Sequence, residues 1–450
     1  MAGIDTSRRI LDKSFTAVGV TSILLMTAAL LIILGPIFAR GMSAYVFQGT
    51  IEHRRFLMDK LHRGDEQILR KEMALADEAK KPRVEMIRTY DKESEGYPVA
   101  QRRKAKASLK ELKKALSEWL GPLPGDPKPL LMRSLYGQTR WDRAEIKLQD
   151  VLQVMEYDYS DPSKAGLKIF VPRVEQFKGT ALEPLFDYAT KNASRLLQPR
   201  WTFYWGFLTD ESFDSHFFGG IWPEVLGTLY LTLGAMLFAI PMGIIAAIYL
   251  VEYAKQTRLI GLLRSCISTL AGVPSIVFGL FGLAFFINTI HVSHSKSALA
   301  GSLTLGLLIL PTVIRASEEA IKAVPKTYKQ ASLSLGASTW QTVVQVILPA
   351  ALPGILTGVV ISMGRAAGET APIIFTAAVS VGKPLKLWQT FTQPTPALPW
   401  NIYNLCSEHE AVDEIRHVQY GMVFTLVVLV LVLNLAAILL RARIMRRLRG

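Results

Sequence analysis

Cysteine is almost absent. Cys266 and Cys406 are the only two in 450 residues. The topology derived below puts them on opposite sides of a membrane, so neither an intrachain disulfide nor a metal site is expected. The phosphate-cradling pattern G-x-x-x-x-G-K-[ST] is missing, which excludes a recognisable Walker A ATP site in this chain. A formal net charge of +14 would suit a nucleic-acid binder, but no nucleic-acid motif accompanies it. No catalytic constellation stands out, and no cofactor is implied. Charge itself is not scarce: 20% of residues are charged, while 50% are hydrophobic. Those two fractions are compatible only if apolar and charged residues are segregated along the chain, and they are.

Six apolar runs carry that segregation: Phe15 to Phe38, Val225 to Leu250, Cys266 to Ile290, Leu299 to Ile314, Ala350 to Val381 and Met422 to Leu440. Each is near the ~20 residues that cross a bilayer as a helix. The first follows Arg8, Arg9 and Lys13. A signal peptide is excluded by its length, since a signal h-region runs about 7–15 residues, and no A-x-A-like site closes it. The most basic short connections, around Lys255, Arg258 and Arg264, around Lys322, Lys326 and Lys329, and the tail Arg441 to Arg449, all fall on one side. The positive-inside rule makes that side cytoplasmic and places both chain ends there. The expected fold is mainly α, a polytopic membrane protein of about six transmembrane helices, with an α+β insertion after the first.

The expected divisions are 1–40, a cytoplasmic start and first span; 41–218, a soluble extracytoplasmic insertion; and 219–450, the membrane domain with a cytoplasmic loop over 315–349. Within the insertion, Ile51 to Ala79 and Gln101 to Leu120 have helical patterns, the second with Leu109, Leu112, Leu116 and Leu120 on one face and stopped by Gly121-Pro122 and Pro124-Gly125. Its basic start, Arg102, Arg103, Lys104 and Lys106, suits a solvated face. Glu145 to Asp158 and Leu167 to Val171 look strand-like, bounded by Asp161-Pro162 and Pro172. The run Trp201 to Phe207, WTFYWGF, suits either an interfacial aromatic belt or a small hydrophobic core. Two histidine groups, His291 with His294, and His409 with Glu410, Asp413 and His417, fit wetted loops better than metal sites.

The most informative stretch is Glu318 to Ala378. Its first half is polar and amphipathic; its second is apolar for about a membrane's thickness yet contains Arg365 and Glu369. For a helix starting near Ala350, Arg365 lies roughly 23 Å along it, inside a hydrocarbon core about 30 Å thick. A charge there costs at least ~2.5–3.5 kcal/mol and needs a partner or a wet path. Ser362, Arg365, Glu369, Pro372 and Thr376 are expected on one stripe of that helix. Two readings stay open: an ion pair that fixes helix packing, or an arginine that contacts an anion in transit. Gly354/Gly358 and Gly364/Gly368 each form a G-x-x-x-G, which lets another helix approach closely.

The polar half resembles the cytoplasmic loop of ABC-importer permeases, whose motif runs EAA, three residues, Gly, nine residues, I-x-L-P. Here Gln330-Ala331-Ser332 is followed by Gly336 and then Val346-Ile347-Leu348-Pro349. The spacing fits throughout, with QAS in place of EAA and Val346 in place of Ile. RAAGETAPIIFTAA, Arg365 to Ala378, and PTVIRASEEAIKAVP, Pro311 to Pro325, are similar to the A-type permease subunit of phosphate ABC importers, the PstA family. Gly368-Glu369-Thr370-Ala371-Pro372 is the most specific run, and the likeness extends from about Gly219 to the C-terminus plus the first span. The resemblance implies a subunit of an inner-membrane, ATP-driven phosphate importer working by alternating access. It implies as partners a second phosphate permease subunit, an ATPase dimer, an extracytoplasmic phosphate-binding protein and membrane lipid. On the residues' own chemistry, Arg365, Glu369, Thr370 and Ser362 are the candidates for the substrate path, and Arg315 is either a second anion contact or a topology-anchoring arginine. The resemblance assigns Lys326, Tyr328, Gln330, Ala331, Ser332, Leu335, Gly336, Ala337, Leu348 and Pro349 to the loop on which the ATPase docks. Permeation of sulfate or molybdate, or a membrane-anchored sensor or scaffold using 41–218, are the alternatives.

Overall fold

A computed structural model describes residues 2–122, 132–158, 166–255 and 257–449. The chain divides into two compact units, one of residues 1–44 and 206–450, the other Tyr45–Trp205. The Pro124-Gly125 and Asp161-Pro162 breaks lie outside the described residues.

Helix α1, Ala2–Met42, contains the span Lys13–Met42. Strand β1, Val46–Gly49, then opens the second unit. Its helices are α2 (Ile51–Leu61), α3 (Glu66–Glu95), α4 (Val99–Leu120), α5 (Met132–Leu135), α6 (Trp141–Leu152) and α7 (Glu183–Leu197). Strands β2, Gln153–Asp158, and β3, Leu167–Pro172, form an antiparallel hairpin, and β4, Arg200–Phe203, returns antiparallel to β1. Helix α4 forms as its leucine spacing requires: Leu109, Leu112, Leu116 and Leu120 are buried together with Trp119, Phe177, Phe186 and Leu197. Gly121, at φ +82, ends it. Lys113 Nζ reaches Asp91 Oδ2 at 2.9 Å, tying α4 to α3. The stretch Ile51 to Ala79 is broken rather than continuous, because His62 and Gly64 take positive φ before Asp65 caps α3 through its own Oδ1. The expected strand over 145–158 is helical to Leu152. Ala144 and Val151, two helical turns apart, are buried there, so helical periodicity outweighs the β-branched and aromatic content.

The other unit continues with α8 (Gly206–Thr209), the two-residue strands β5 (Ser212–Phe213) and β6 (Phe218–Gly219), and α9, Trp222–Ile248. Next come α10 (Arg258–Leu270), α11 (Ser275–Gly282), α12 (Ala298–Lys322), α13 (Lys326–Ser334), α14 (Thr339–Thr342), α15 (Leu348–Gly368), α16 (Ala371–Thr376), α17 (Leu398–Ser407) and α18 (Arg416–Arg449). Among the described residues five helices are long and apolar enough to span a membrane, or six if one bent pair of helices is counted as a single span. That pair corrects the straight span expected over 266–290. Segments Arg258–Leu270 and Ser275–Thr289 meet at 102°. The Gly272-Val273-Pro274 break explains it, since proline disfavours helix in the residue before it. Helix α12 runs on to Lys322, so Arg315 and Glu318 sit on a helix where a loop was expected.

Small residues set the helix spacing. A Cβ at Gly358 would overlap the Ala316 side chain, and one at Gly354 would come 2.6 Å from Ala320 Cβ. These contacts lay α15 antiparallel along α12. Helix α9 packs on α12 in the same way: a Cβ at Gly243 would come 2.7 Å from Val313 Cγ1. Helix α1 meets α18 through Phe38 and Phe424, whose rings lie 5.2 Å apart.

Candidate functional site

The expected single stripe on one long helix does not form. Helix α15 stops at Gly368. Glu369 is extended, φ −78 and ψ 126, and a separate short helix α16 begins at Ala371. Pro372 supplies the reason: it biases Ala371 away from continuing a helix that arrives from upstream, and its own missing N–H is harmless in a first turn. The break faces Glu369 back along α15. Arg365 Nε donates to Glu369 Oε1 at 3.3 Å, with side chains 40% and 22% exposed. The pair is therefore neither sealed in the protein nor fully open. Ser362, one turn earlier, is buried, and its Oγ has no hydrogen-bond partner among the described residues. Thr370 occupies the turn between the two helices, where its carbonyl accepts from Ile373 N at 3.2 Å. Pro372 and Thr376 lie on α16, with Thr376 Oγ1 bound to the Pro372 carbonyl at 2.9 Å.

Arg315 does not join this group. With Ala316 opposite Gly358 on antiparallel helices, Arg315 stands about 9 Å along the axis from Arg365, at ~1.5 Å per residue. Its Nη2 donates to Ser268 Oγ on α10. The two residues line a cavity of about 690 Å³ with Arg264, Glu318, Glu319 and Lys322. Glu318 there receives both Arg264, at 3.1 Å, and Lys322, at 3.0 Å. The structure thus shows two charged places: the Arg365–Glu369 break and a cavity nearer the basic end of the bundle.

The loop between α12 and α15 is a compact folded hairpin. Pro325 precedes α13, which buries none of its residues. Gly336, at φ +84, turns the chain where a side chain would be strained. Ser338 and Gln341 then cap α14 reciprocally. Leu335 N, Gly336 N and Ala337 N donate to the carbonyls of Ala331, Leu333 and Ser332. Ser332 Oγ meets Thr342 Oγ1 at 2.9 Å, which closes the hairpin. Lys326 and Tyr328 lie in the first turn of α13, Gln330 and Ala331 face outward, and Leu348-Pro349 open α15. Tyr328, Leu333, Leu335 and Trp340 are all exposed on this hairpin. Four large apolar side chains are thus left exposed on one short hairpin.

Some residues of these places gave little signal in the sequence. Glu252, almost buried, accepts Lys329 Nζ at 2.5 Å and ties α13 to the end of α9. Asn434 interrupts the apolar run of α18. Its amide is 3.7 Å from where a Gly364 Cβ would stand, and its Oδ1 is buried without a hydrogen-bond partner among the described residues. A lone asparagine in an apolar run was the available sign. At the other end of the bundle, buried Glu224 Oε1 accepts Asn401 Nδ2 at 2.9 Å and faces His216 Nε2 at 2.8 Å. His409 and Asp413 are engaged by Ser215 O, at 3.0 Å, and Arg416, at 2.6 Å.

Comparison with known proteins adds the following. The family described as binding-protein-dependent transport system inner membrane component matches residues 239–450. A probable ABC transporter permease protein, YqgI of Bacillus subtilis, is 34% identical over 240 residues, covering 51% of this chain and 81% of that protein. The phosphate transport system permease protein PstA 1 of Mycobacterium tuberculosis is 37% identical over 231 residues, covering 51% and 73%. A PstA of Yersinia pestis is 35% identical over 222 residues, covering 49% and 71%.

Proposed function

This chain belongs to the family of binding-protein-dependent transport system inner membrane components, in its PstA-type branch, and we propose that it is one permease subunit of an ATP-driven importer of inorganic phosphate. The observation that carries the reading is the broken span. An arginine on a membrane helix stands at a helix break, held by one carboxylate and still partly accessible. A guanidinium donates parallel hydrogen bonds to an oxyanion better than any other side chain. Phosphate entering the break competes with Glu369 for Arg365. The carboxylate holds the arginine in place when the path is empty and yields it when the anion arrives. Ser362, whose Oγ one turn away has no hydrogen-bond partner among the described residues, and Thr370, in the break itself, are further donors for the same anion. Arg315 and its cavity receive the anion later, toward the basic and hence cytoplasmic side.

The sequence carries no recognisable Walker A motif, and in this reading the energy comes from a separate ATPase dimer. That dimer docks on the α13–α14 hairpin, through the exposed Tyr328, Leu333, Leu335 and Trp340. The Lys329–Glu252 pair passes its motion to α9, and the direct run from α14 into α15 passes it to the break. Alternating access follows if the ATP-bound and ATP-free states bind the hairpin differently. A second permease subunit completes the pore, and an extracytoplasmic binding protein delivers phosphate. The 45–205 unit lies on the binding protein's side.

The test is phosphate-stimulated ATP hydrolysis and uptake by the four-component complex in vesicles. Arg365→Gln removes the charge-assisted bonds, worth ~1.5–3 kcal/mol each, so stimulated turnover falls on the order of tenfold to a hundredfold while assembly is kept. Unchanged uptake in that variant removes Arg365 from the path. Stimulation by a sulfate-loaded binding protein instead would change the substrate but not the site.

A further inference from the structure

The β1–β4 ribbon has two unlike faces. Its register pairs Val46 with Phe203 and Gln48 with Trp201. Side chains alternate along a strand, so Trp201 and Phe203 share one face with Val46. Trp201 is 70% exposed, Phe203 65% and Trp205 56%, whereas Phe47 and Tyr204 on the opposite face are 6% and 7% exposed. The Phe203 and Trp205 rings lie 6.3 Å apart and extend the same apolar surface. The run WTFYWGF is thus split: Tyr204 turns inward from the ribbon, Phe207 is buried from α8, and three aromatics are left outside.

The chain indicates what meets them. Helix α1 is a membrane span that ends at Met42. Near that end Arg40 donates to the Tyr420 hydroxyl at 2.8 Å, with its guanidinium 5.2 Å from the same ring. An arginine reaching a tyrosine at a span's end marks headgroup level. Val46 follows Met42 by four residues, so it lies within about 14 Å of the end of the span at ~3.3–3.6 Å per residue. The ribbon is therefore leashed to the membrane surface. Its exposed face carries the tryptophan and phenylalanine chemistry that partitions to the interface, where an apolar ring body meets the acyl boundary and an indole N–H meets the headgroups.

We propose that Trp201, Phe203 and Trp205 seat in the phospholipid headgroup region of the leaflet at which α1 ends, which makes the β1–β4 ribbon a lipid anchor for the 45–205 unit. The inference uses the membrane spans and the ribbon alone and does not depend on what is transported.

The experiment is site-directed fluorescence on the full chain in phosphatidylcholine vesicles. Cys266 and Cys406 are replaced by serine, and Phe203→Cys is labelled with an environment-sensitive nitrobenzoxadiazole. Lipids carrying a nitroxide on the headgroup are then added as quencher. The expected result is a blue-shifted emission quenched at least severalfold more than at Leu75→Cys, an exposed position on α3. Trp205→Cys repeats the reading should the first variant fold poorly. Water-like emission at position 203, quenched by aqueous iodide and not by the nitroxide lipid, overturns the proposal. Blue-shifted emission that neither quencher reaches also overturns it, in favour of a protein partner on the ribbon.

Discussion

The 45–205 unit and the membrane unit differ in where they put small and large apolar residues. In the first, the large side chains are inside: Leu112, Leu116, Trp119, Phe177 and Leu197 are almost wholly buried. In the second, large residues such as Ile309 and Ile355 are buried too, but the helix contacts are set by small ones, with Ala235, Ala239, Ala300 and Ala377 sealed and Gly243, Gly354 and Gly358 facing neighbours at contact distance. Large groups such as Phe15, Leu237 and Leu440 point outward. Water explains the first pattern, because removing apolar area from it is the main drive to fold. Lipid explains the second. Acyl chains solvate leucine as well as protein does, so helices gain by approaching closely. Threonines in the membrane unit likewise satisfy their hydroxyls on their own helix, as Thr228, Thr232 and Thr304 do on carbonyls four residues back.

Enlarging a glycine should therefore do most damage where helices touch. Gly358→Leu drives a side chain into Ala316, and no flexible group can yield without separating α12 from α15. We expect loss of assembled complex on size exclusion and uptake at background. Gly35→Leu, on α1, has open space around it and should assemble normally. Equal damage from both would mean that close approach is not what holds this unit.

The converse test truncates a large residue. Leu112→Ala in the α4 core should cost about 2–5 kcal/mol, as fully buried leucines do. Protease cutting within 45–205 of the intact chain should rise roughly thirtyfold or more, because cleavage follows the open population. Leu237→Ala, on the outward face of α9, removes the same atoms from an exposed position and should leave protease resistance and uptake unchanged. A large effect there would assign Leu237 to a protein interface.

Most of the helical framework is legible in the sequence because apolar runs and leucine spacing are long-range signals. The misses are local and have local causes. The break after Gly368 is written in Pro372, and the 102° bend in Gly272-Val273-Pro274, but both lie inside runs apolar enough to hide them. The 145–152 helix is hidden by side chains that also favour strands. At the candidate site, the closeness of Arg365 and Glu369 follows from a four-residue spacing. The separation of Arg315 from them does not, because it depends on which residue of α12 faces Gly358. The pairing of Lys329 with Glu252 is illegible for the same reason: it joins residues 77 apart across two elements.

The smallest expected effect sharpens the contrast through two buried histidines. In the membrane unit His216 faces the Glu224 carboxylate at 2.8 Å. In the 45–205 unit His53 meets the opposite environment. Its ring packs 5.1 Å from both Phe47 and Tyr204, and its Nε2 has no hydrogen-bond partner among the described residues. Burial first, and then the positive charges of Arg140 and Arg54, push its pKa down to about 3. The unfolded chain takes up a proton near pH 6.5 that the folded unit refuses, so the unfolded state binds more protons across that window. Stability is full above about pH 6.5 and is lost as pH falls toward 3, by ~1.4 kcal/mol per unit once below the unfolded value. Between pH 7.5 and 5.5 that amounts to about a tenfold rise in protease opening of the unit, which His53→Leu should remove while leaving the carboxylate contributions in place. If the variant keeps the wild-type pH slope, His53 is protonated in the folded unit, and its apolar and cationic surroundings do not govern it.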